Sequence, residues 1–176
     1  MSVAPRAVIV TRPTELEHVV ARHGTRAQAR FALAARGRSL DEIETRHATF
    51  ETVLTGVSQQ VPSRWRSARV GRAELSRFVW EPGDVVVAVG QDGLVANVAK
   101  YLAGQLVVGV NPDPSRIDGV LVRHEPERVA EVLARVIERR VSIEERTLVE
   151  ARLDDGQRLR ALNEIYLGHR THQSSR

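Results

Sequence analysis

The chain has no cysteine, a single methionine, only 4% aromatic residues and one lysine, Lys100. The absence of cysteine excludes a disulfide scaffold, a thiolate nucleophile and any Cys-ligated zinc or iron–sulfur site. No apolar run approaches the ~20 residues that span a bilayer. The apolar stretch near the N-terminus, around Ala7–Val10, is too short for a secretory h-region and soon meets Pro13. Internal repeats and low-complexity tracts are also lacking. A cytoplasmic protein without a membrane partner is therefore expected. At 176 residues the chain is long enough for one core of its own.

Charge is plentiful and nearly balanced. There are 26 Lys+Arg against 22 Asp+Glu, a formal net charge of +4. The base is almost all arginine, which is why the pI reaches about 10.5. Arg64, Arg66, Arg69, Arg72 and Arg77 cluster around Trp65. Such a cluster can bind phosphate or nucleic acid. A solvated face held by ion pairs explains the interspersed charge better, so nucleic acid is not the expected partner.

Hydrophobic periodicity predicts an α/β fold. Ala7 to Thr11 reads as a first strand, and Pro13 sits at the start of a helix carrying Leu16, Val19 and Val20. A second helical stretch spans about 25–35, with Ala27, Phe31 and Ala34 or Ala35 on one face. Ser39 and Glu42 have capping-box spacing. After them Leu40, Ile43, His47, Phe50, Leu54 and Val57 form one helical stripe. His47 reads as a hydrogen-bonded boundary histidine, since no second ligand lies at i+4. Residues 63–80 read as strand or loop. Val85–Val89 is a continuous apolar run, as in a strand buried on both faces of a parallel sheet. A helix over about 94–102 and a second buried strand, Leu106–Val110, complete a strand–helix–strand unit. Val120–Val122 reads as a short edge or connecting strand, and Pro126 opens a helix with Val129, Val132, Leu133, Val136 and Ile137 on one face. Beyond Arg140 the pattern becomes a hairpin: Thr147–Leu153, a turn at Asp154-Asp155-Gly156, then Arg158–Leu167.

The fold expected is thus a mostly parallel sheet with flanking helices over residues 1–140. The first strands of a β-rich second domain follow over 141–176.

Three loops could carry chemistry. The first is Gly90-Gln91-Asp92-Gly93, between a buried strand and a helix. Its glycines allow a sharp turn and close ligand approach, and a helix start suits phosphate. Asp92 there is a magnesium-linked carboxylate, a base for a hydroxyl proton, or simply a helix cap. The second is Asn111 to Asp113, at the end of the neighbouring strand, where open α/β sheets bind ligands or where a rigid turn suffices. The third is Asn163-Glu164 inside the final strand, an amide and a carboxylate able to hold ribose hydroxyls and an adenine amine, or an exposed strand face. His169 and His172 lack the further ligands a metal needs, and no metal-ligating residues are assigned.

The order of these motifs resembles the NAD kinase family, within the superfamily that includes diacylglycerol kinases and phosphofructokinases. Gly90-Gln91-Asp92-Gly93 is similar to its GGDG motif, Gly109-Val110-Asn111 to its Gly-x-Asn turn, and Ala161-Leu162-Asn163-Glu164 to its Ala-Leu-Asn-Glu motif. The resemblance runs from about 84 to 167. It implies that Asp92 activates the 2′-hydroxyl of the adenosine ribose of NAD. It also implies that Gly90, Gln91, Gly93 and Asn111 lie against nucleotide phosphates, and that Asn163 and Glu164 hold the adenosine. The donor implied is ATP, or polyphosphate, with Mg2+, in a homo-oligomer whose β-rich domain continues beyond Arg176. Gln91 stands where the family has a second glycine, and Leu94 where it has threonine. These departures, with the β-rich domain barely begun at Arg176, motivate an alternative: a nucleotide-binding or assembly module without turnover, or an incomplete fragment of such a kinase.

Overall fold

The computed structural model describes residues 4–166 and 168. Four parallel strands form its sheet: β1 (Arg6–Thr11), β2 (Arg66–Gly71), β3 (Asp84–Val89) and β4 (Leu106–Val110), in spatial order β2-β1-β3-β4. Three helices, α1 (Glu15–His23), α2 (Arg26–Ala34) and α3 (Leu40–Gln59), connect β1 to β2. α4 (Asp92–Ala99) connects β3 to β4, and α5 (Val129–Ile137) follows after a 3₁₀ turn at Pro126–Arg128. β5 (Val149–Arg152) and β6 (Arg158–Ala161) pair antiparallel as a separate hairpin, with β6 against α4. Among the described residues no helix is long and apolar enough to cross a membrane.

The apolar runs make this sheet because successive strand side chains point to opposite faces. Ala7 and Ile9 of β1, with Val85, Val87 and Val89 of β3, pack under Leu54 and Val57 of α3 and Val129 and Leu133 of α5. Val8, Val10, Val86 and Ala88 turn the other way, onto Leu94, Val95 and Val98 of α4. Every residue of β3 is buried. A third small core joins Leu16 of α1, Ala29 and Leu33 of α2, and Leu40 and Ile43 of α3.

The N-terminal edge of the sheet is tied by charge. Arg6 and Asp84 face each other across β1 and β3, and the guanidinium meets the carboxylate twice, at 2.8 and 2.7 Å. Asp84 also accepts the Glu81 backbone N–H at 2.8 Å, and Arg6 lies 5.1 Å over the Phe78 ring. Burial works against the Asp84 charge, but Arg6 and the Glu81 amide outweigh it and hold its carboxyl below the usual range.

Four sequence expectations need correction. The buried face of α2 is Ala29 and Leu33, and Phe31 is 80% exposed, because Leu16, Leu40 and Ile43 lie on the Leu33 side. Ser39 precedes α3 without a side-chain cap; the working capping box is Thr14 with Glu17, at the start of α1. Val120–Val122 is not a strand. Its amides are taken by a side chain, and only His124 bridges to Val110 of β4. The final strand ends at Ala161, so Asn163 and Glu164 lie beyond it, exposed. Leu167, His169 and His172 lie outside the described residues.

The 120–122 segment crosses β4 so closely that Gly109 has no room for a side chain. A Cβ there would sit inside the contact distance of the Leu121 carbonyl and 2.9 Å from the Val122 Cα. Gly93, in contrast, has open space around it. Gly109→Ala is expected to destabilise the fold by about 3 kcal/mol. Gly93→Ala should leave stability within about 0.5 kcal/mol or raise it. Urea denaturation of the two variants checks both.

Candidate functional site

The strand order places a topological switch point between β1 and β3. From β1 the chain moves to β2 on one side, then returns to β3 on the other. In open α/β sheets, ligands lie in the crevice outside the carboxyl ends of the strands at such a point. A cavity of about 560 Å³ occurs there. Arg12, Pro13, Thr14 and Glu15 after β1 form one wall, Gly90 and Gln91 after β3 the floor, and Pro112, Asp113, Arg116 and Ile117 after β4 the far wall. α3 closes the top with apolar Ile43 and Phe50 and polar Arg46 and His47. A smaller cavity of about 470 Å³ adjoins it, sharing Arg12, Pro13 and Glu15 and adding His18 and Arg72.

The crevice is cationic. Arg46 is engaged by Glu15 at 2.8 Å, and Glu15 also meets Arg38. The two arginines hold the Glu15 carboxyl below its usual range, with Arg38 the larger influence. Arg12 donates to the Gln91 side-chain oxygen at 2.8 Å. Neither Arg12 nor Arg116 has a carboxylate partner among the described residues. Two guanidinium groups thus remain for an anion, beside an apolar patch that suits a planar base.

Asp92 has three backbone partners of its own. It is the first residue of α4, after Gln91 at the cap position. Its carboxylate accepts three backbone N–H bonds, from Val120 at 2.9 Å, Leu121 at 2.8 Å and Val122 at 3.1 Å. Burial pushes its pKa up, but the three amides outweigh that and hold the carboxyl below the usual range. The side chain is turned toward the 120–122 turn rather than being part of the crevice lining. It is thus neither a free base nor a side-chain cap of its own helix.

Asn111 is likewise committed. It is 5% exposed; its Oδ1 accepts the Asp113 N–H at 3.0 Å and its Nδ2 donates to the Ile117 carbonyl at 2.6 Å. It braces the loop that carries Asp113 and Arg116 and has little left for a phosphate. Gly90 and Gln91 do line the crevice, and Gly93 stands one turn further along with open space. Asn163 and Glu164 are not among the lining residues. The basic cluster of 64–77 is partly neutralised: Arg66 pairs with Glu81 at 2.6 Å, and Arg69 donates to Ser58 at 3.1 Å.

Among the described residues no three His, Asp or Glu side chains gather as a metal cage. Mg2+ accompanying a nucleotide needs none, since phosphates, water and one or two carboxylates supply its ligands. Asp113 at the crevice wall is a carboxylate of that kind. The residues missed from sequence are Arg12, Thr14, Arg46 and Arg116. Of these only Arg12, directly after β1, could have been found, by the strand-end rule.

The chain matches no protein-family model, and a search of curated proteins gives no match.

The Asp92 geometry makes a stability prediction. Asp92→Asn keeps at most part of the amide cradle and is expected to cost about 2 kcal/mol, since hydrogen bonds to a charged group are worth roughly 1.5–3. The folded-state pKa values of Asp92 and Asp84 are both lowered, so their stabilisation is present above the unfolded value of about 4 and is lost as pH falls through the folded values. Urea midpoints should therefore decline below about pH 4, and decline less steeply in Asp92→Asn. An Asp92→Asn curve parallel to that of the wild type would show that the cradle carries no such stabilisation.

Proposed function

We propose that this chain is a nucleotide-binding phosphotransferase module of the NAD kinase type, transferring a phosphoryl group from ATP, or polyphosphate, to the 2′-hydroxyl of the adenosine ribose of NAD. The observation that carries the reading is the crevice at the sheet's switch point, where Arg12 and Arg116 have no carboxylate partner among the described residues and Ile43, Phe50 and Ile117 form an apolar patch. A nucleotide needs both features: a face for its base and cations for its phosphates. The order of glycine loop, Gly-x-Asn turn and Asn-Glu pair agrees with it.

Phosphoryl transfer asks mainly for positioning and charge stabilisation. Arg12 and Arg116 would neutralise phosphate charge from opposite walls. The start of α4 brings the positive end of its dipole to the same loop. Mg2+, when bound with the nucleotide, supplies further charge neutralisation, and Asp113 is the residue that would hold it. Asp92 serves the site by position. Its three bonds dock the 120–122 turn against β4, and the same connection carries Asp113 and Arg116 to the crevice. The committed state of that carboxylate favours a second reading, nucleotide binding without turnover.

Calorimetric titration with Mg·ATP and with NAD, alongside a coupled assay for NADP, separates the two. NADP formation supports the transferase; binding of a nucleotide without NADP supports the module; binding of neither rejects both. Arg12→Ala and Arg116→Ala are each expected to weaken nucleotide binding by about tenfold, the worth of one charge-assisted contact of roughly 1.4 kcal/mol. Affinity should also fall as salt rises.

A further inference from the structure

The crevice contains one imidazole whose hydrogen-bond partners dictate its tautomer. His47 of α3 is half-buried and lines the crevice. Its Nδ1 lies 2.9 Å from the Thr14 hydroxyl. That hydroxyl lies 3.0 Å from the Glu17 carboxylate, which also accepts the Thr14 backbone N–H at 2.6 Å. The Glu17 backbone N–H points back to the same hydroxyl at 3.4 Å.

A carboxylate can only accept, and a threonine hydroxyl has one proton. The Thr14 proton therefore goes to Glu17, and the Thr14 oxygen is left as an acceptor toward His47. Nδ1 must then carry the hydrogen. In the neutral ring, Nε2 holds the lone pair, and it has no protein partner among the described residues. The capping box that starts α1 thus also sets which nitrogen of His47 is basic.

We propose that His47 is the proton acceptor of this crevice, with Thr14 and Glu17 as its positioning residues. The inference rests on the phosphotransfer reading and names the base that Asp92, already bound to three amides, does not supply. The acceptor hydroxyl gives its proton to His47 Nε2 as its oxygen bonds to the γ-phosphorus of ATP. The bond from that phosphorus to the β–γ bridging oxygen breaks, and ADP leaves with the electron pair. The imidazolium then returns its proton to water. Arg12 and Arg116, on the two walls beside the ring, are placed to hold the phosphates of donor or product.

Two measurements on the full chain test this. Nitrogen-15 NMR of the free protein should show His47 in the Nδ1–H tautomer, and Thr14→Val should release it. An Nε2–H tautomer in the wild type overturns the proposal whatever the activity. In the NADP assay, His47→Gln should lower kcat about 100-fold or more, the usual worth of a general base, with KM for both substrates little changed. His47→Ala should regain part of its turnover with added imidazole, which a purely structural role would not allow. Thr14→Val should lower kcat about tenfold with the circular dichroism spectrum intact, a loss of about 1.4 kcal/mol in transition-state stabilisation. An active wild type with an equally active His47→Gln overturns the role of His47 and leaves the phosphotransfer reading standing. A wild type that binds nucleotide but makes no NADP rejects that reading, and this role with it.

Discussion

Three amides converging on one carboxylate decide the shape of the edge of the sheet that bears the crevice. Asp92 opens α4 on one side of the β3–β4 pair, and the backbone of Val120, Leu121 and Val122 lies across β4 on the same side. Without that carboxylate, the N–H groups of Leu121 and Val122 would lack a partner in a partly buried place, a cost of ~1–3 kcal/mol for each group left unsatisfied, whereas Val120 is exposed to water. The turn can be this tight because Gly109 and Gly119 carry no side chain: a Cβ on either would strike Leu121 or Val122. Asn111 completes the brace by fastening Asp113 and Ile117 to the end of β4. The loop that forms one wall of the crevice is therefore held by polar bonds at its root.

The sheet itself divides labour between its two ends. At the N-terminal ends of the strands, Arg6 and Asp84 form a twofold hydrogen-bonded ion pair with most of its surface shielded from water. Arg6, Asp84, Glu81 and Arg66 are all paired there. At the carboxyl ends, Arg12 and Arg116 face a cavity instead of a carboxylate. Cations that line a concave place focus their field on an anion there. The helix starts at Glu15 and Asp92 lie at that same end, adding the positive ends of their dipoles. The phosphate-bearing ligand proposed above would complement such a surface.

Much of the fold is legible in the sequence. Val85–Val89 and Leu106–Val110 are apolar without a break, and only a strand covered on both faces needs that. The α3 stripe from Leu40 to Val57 repeats at helical spacing and packs as expected, with His47 bonded at its edge. The failures share a cause. Ala27 and Phe31 of α2 satisfy the helical period as well as Ala29 and Leu33 do; neighbouring helices chose between them. Val120–Val122 has strand-like composition, yet its amides go to Asp92, a residue about thirty positions away. Asn163 and Glu164 interrupt an apolar pattern because the strand has already ended.

What the sequence alone determined is the class of the molecule: a parallel sheet, its covering helices, the hairpin after Arg140, and the glycine-lined loop where a strand meets a helix. Those follow from period, run length and turn chemistry, which act between residues close in the chain. Only the tertiary structure decided what each polar side chain does. Asp92 binds a turn, Asn111 braces a loop, and Thr14 meets His47 at Nδ1, because hydrogen-bond partners are assigned by proximity in space. The same carboxylate on the same helix start would be a base, a cap or a staple depending on which amides the fold brings to it.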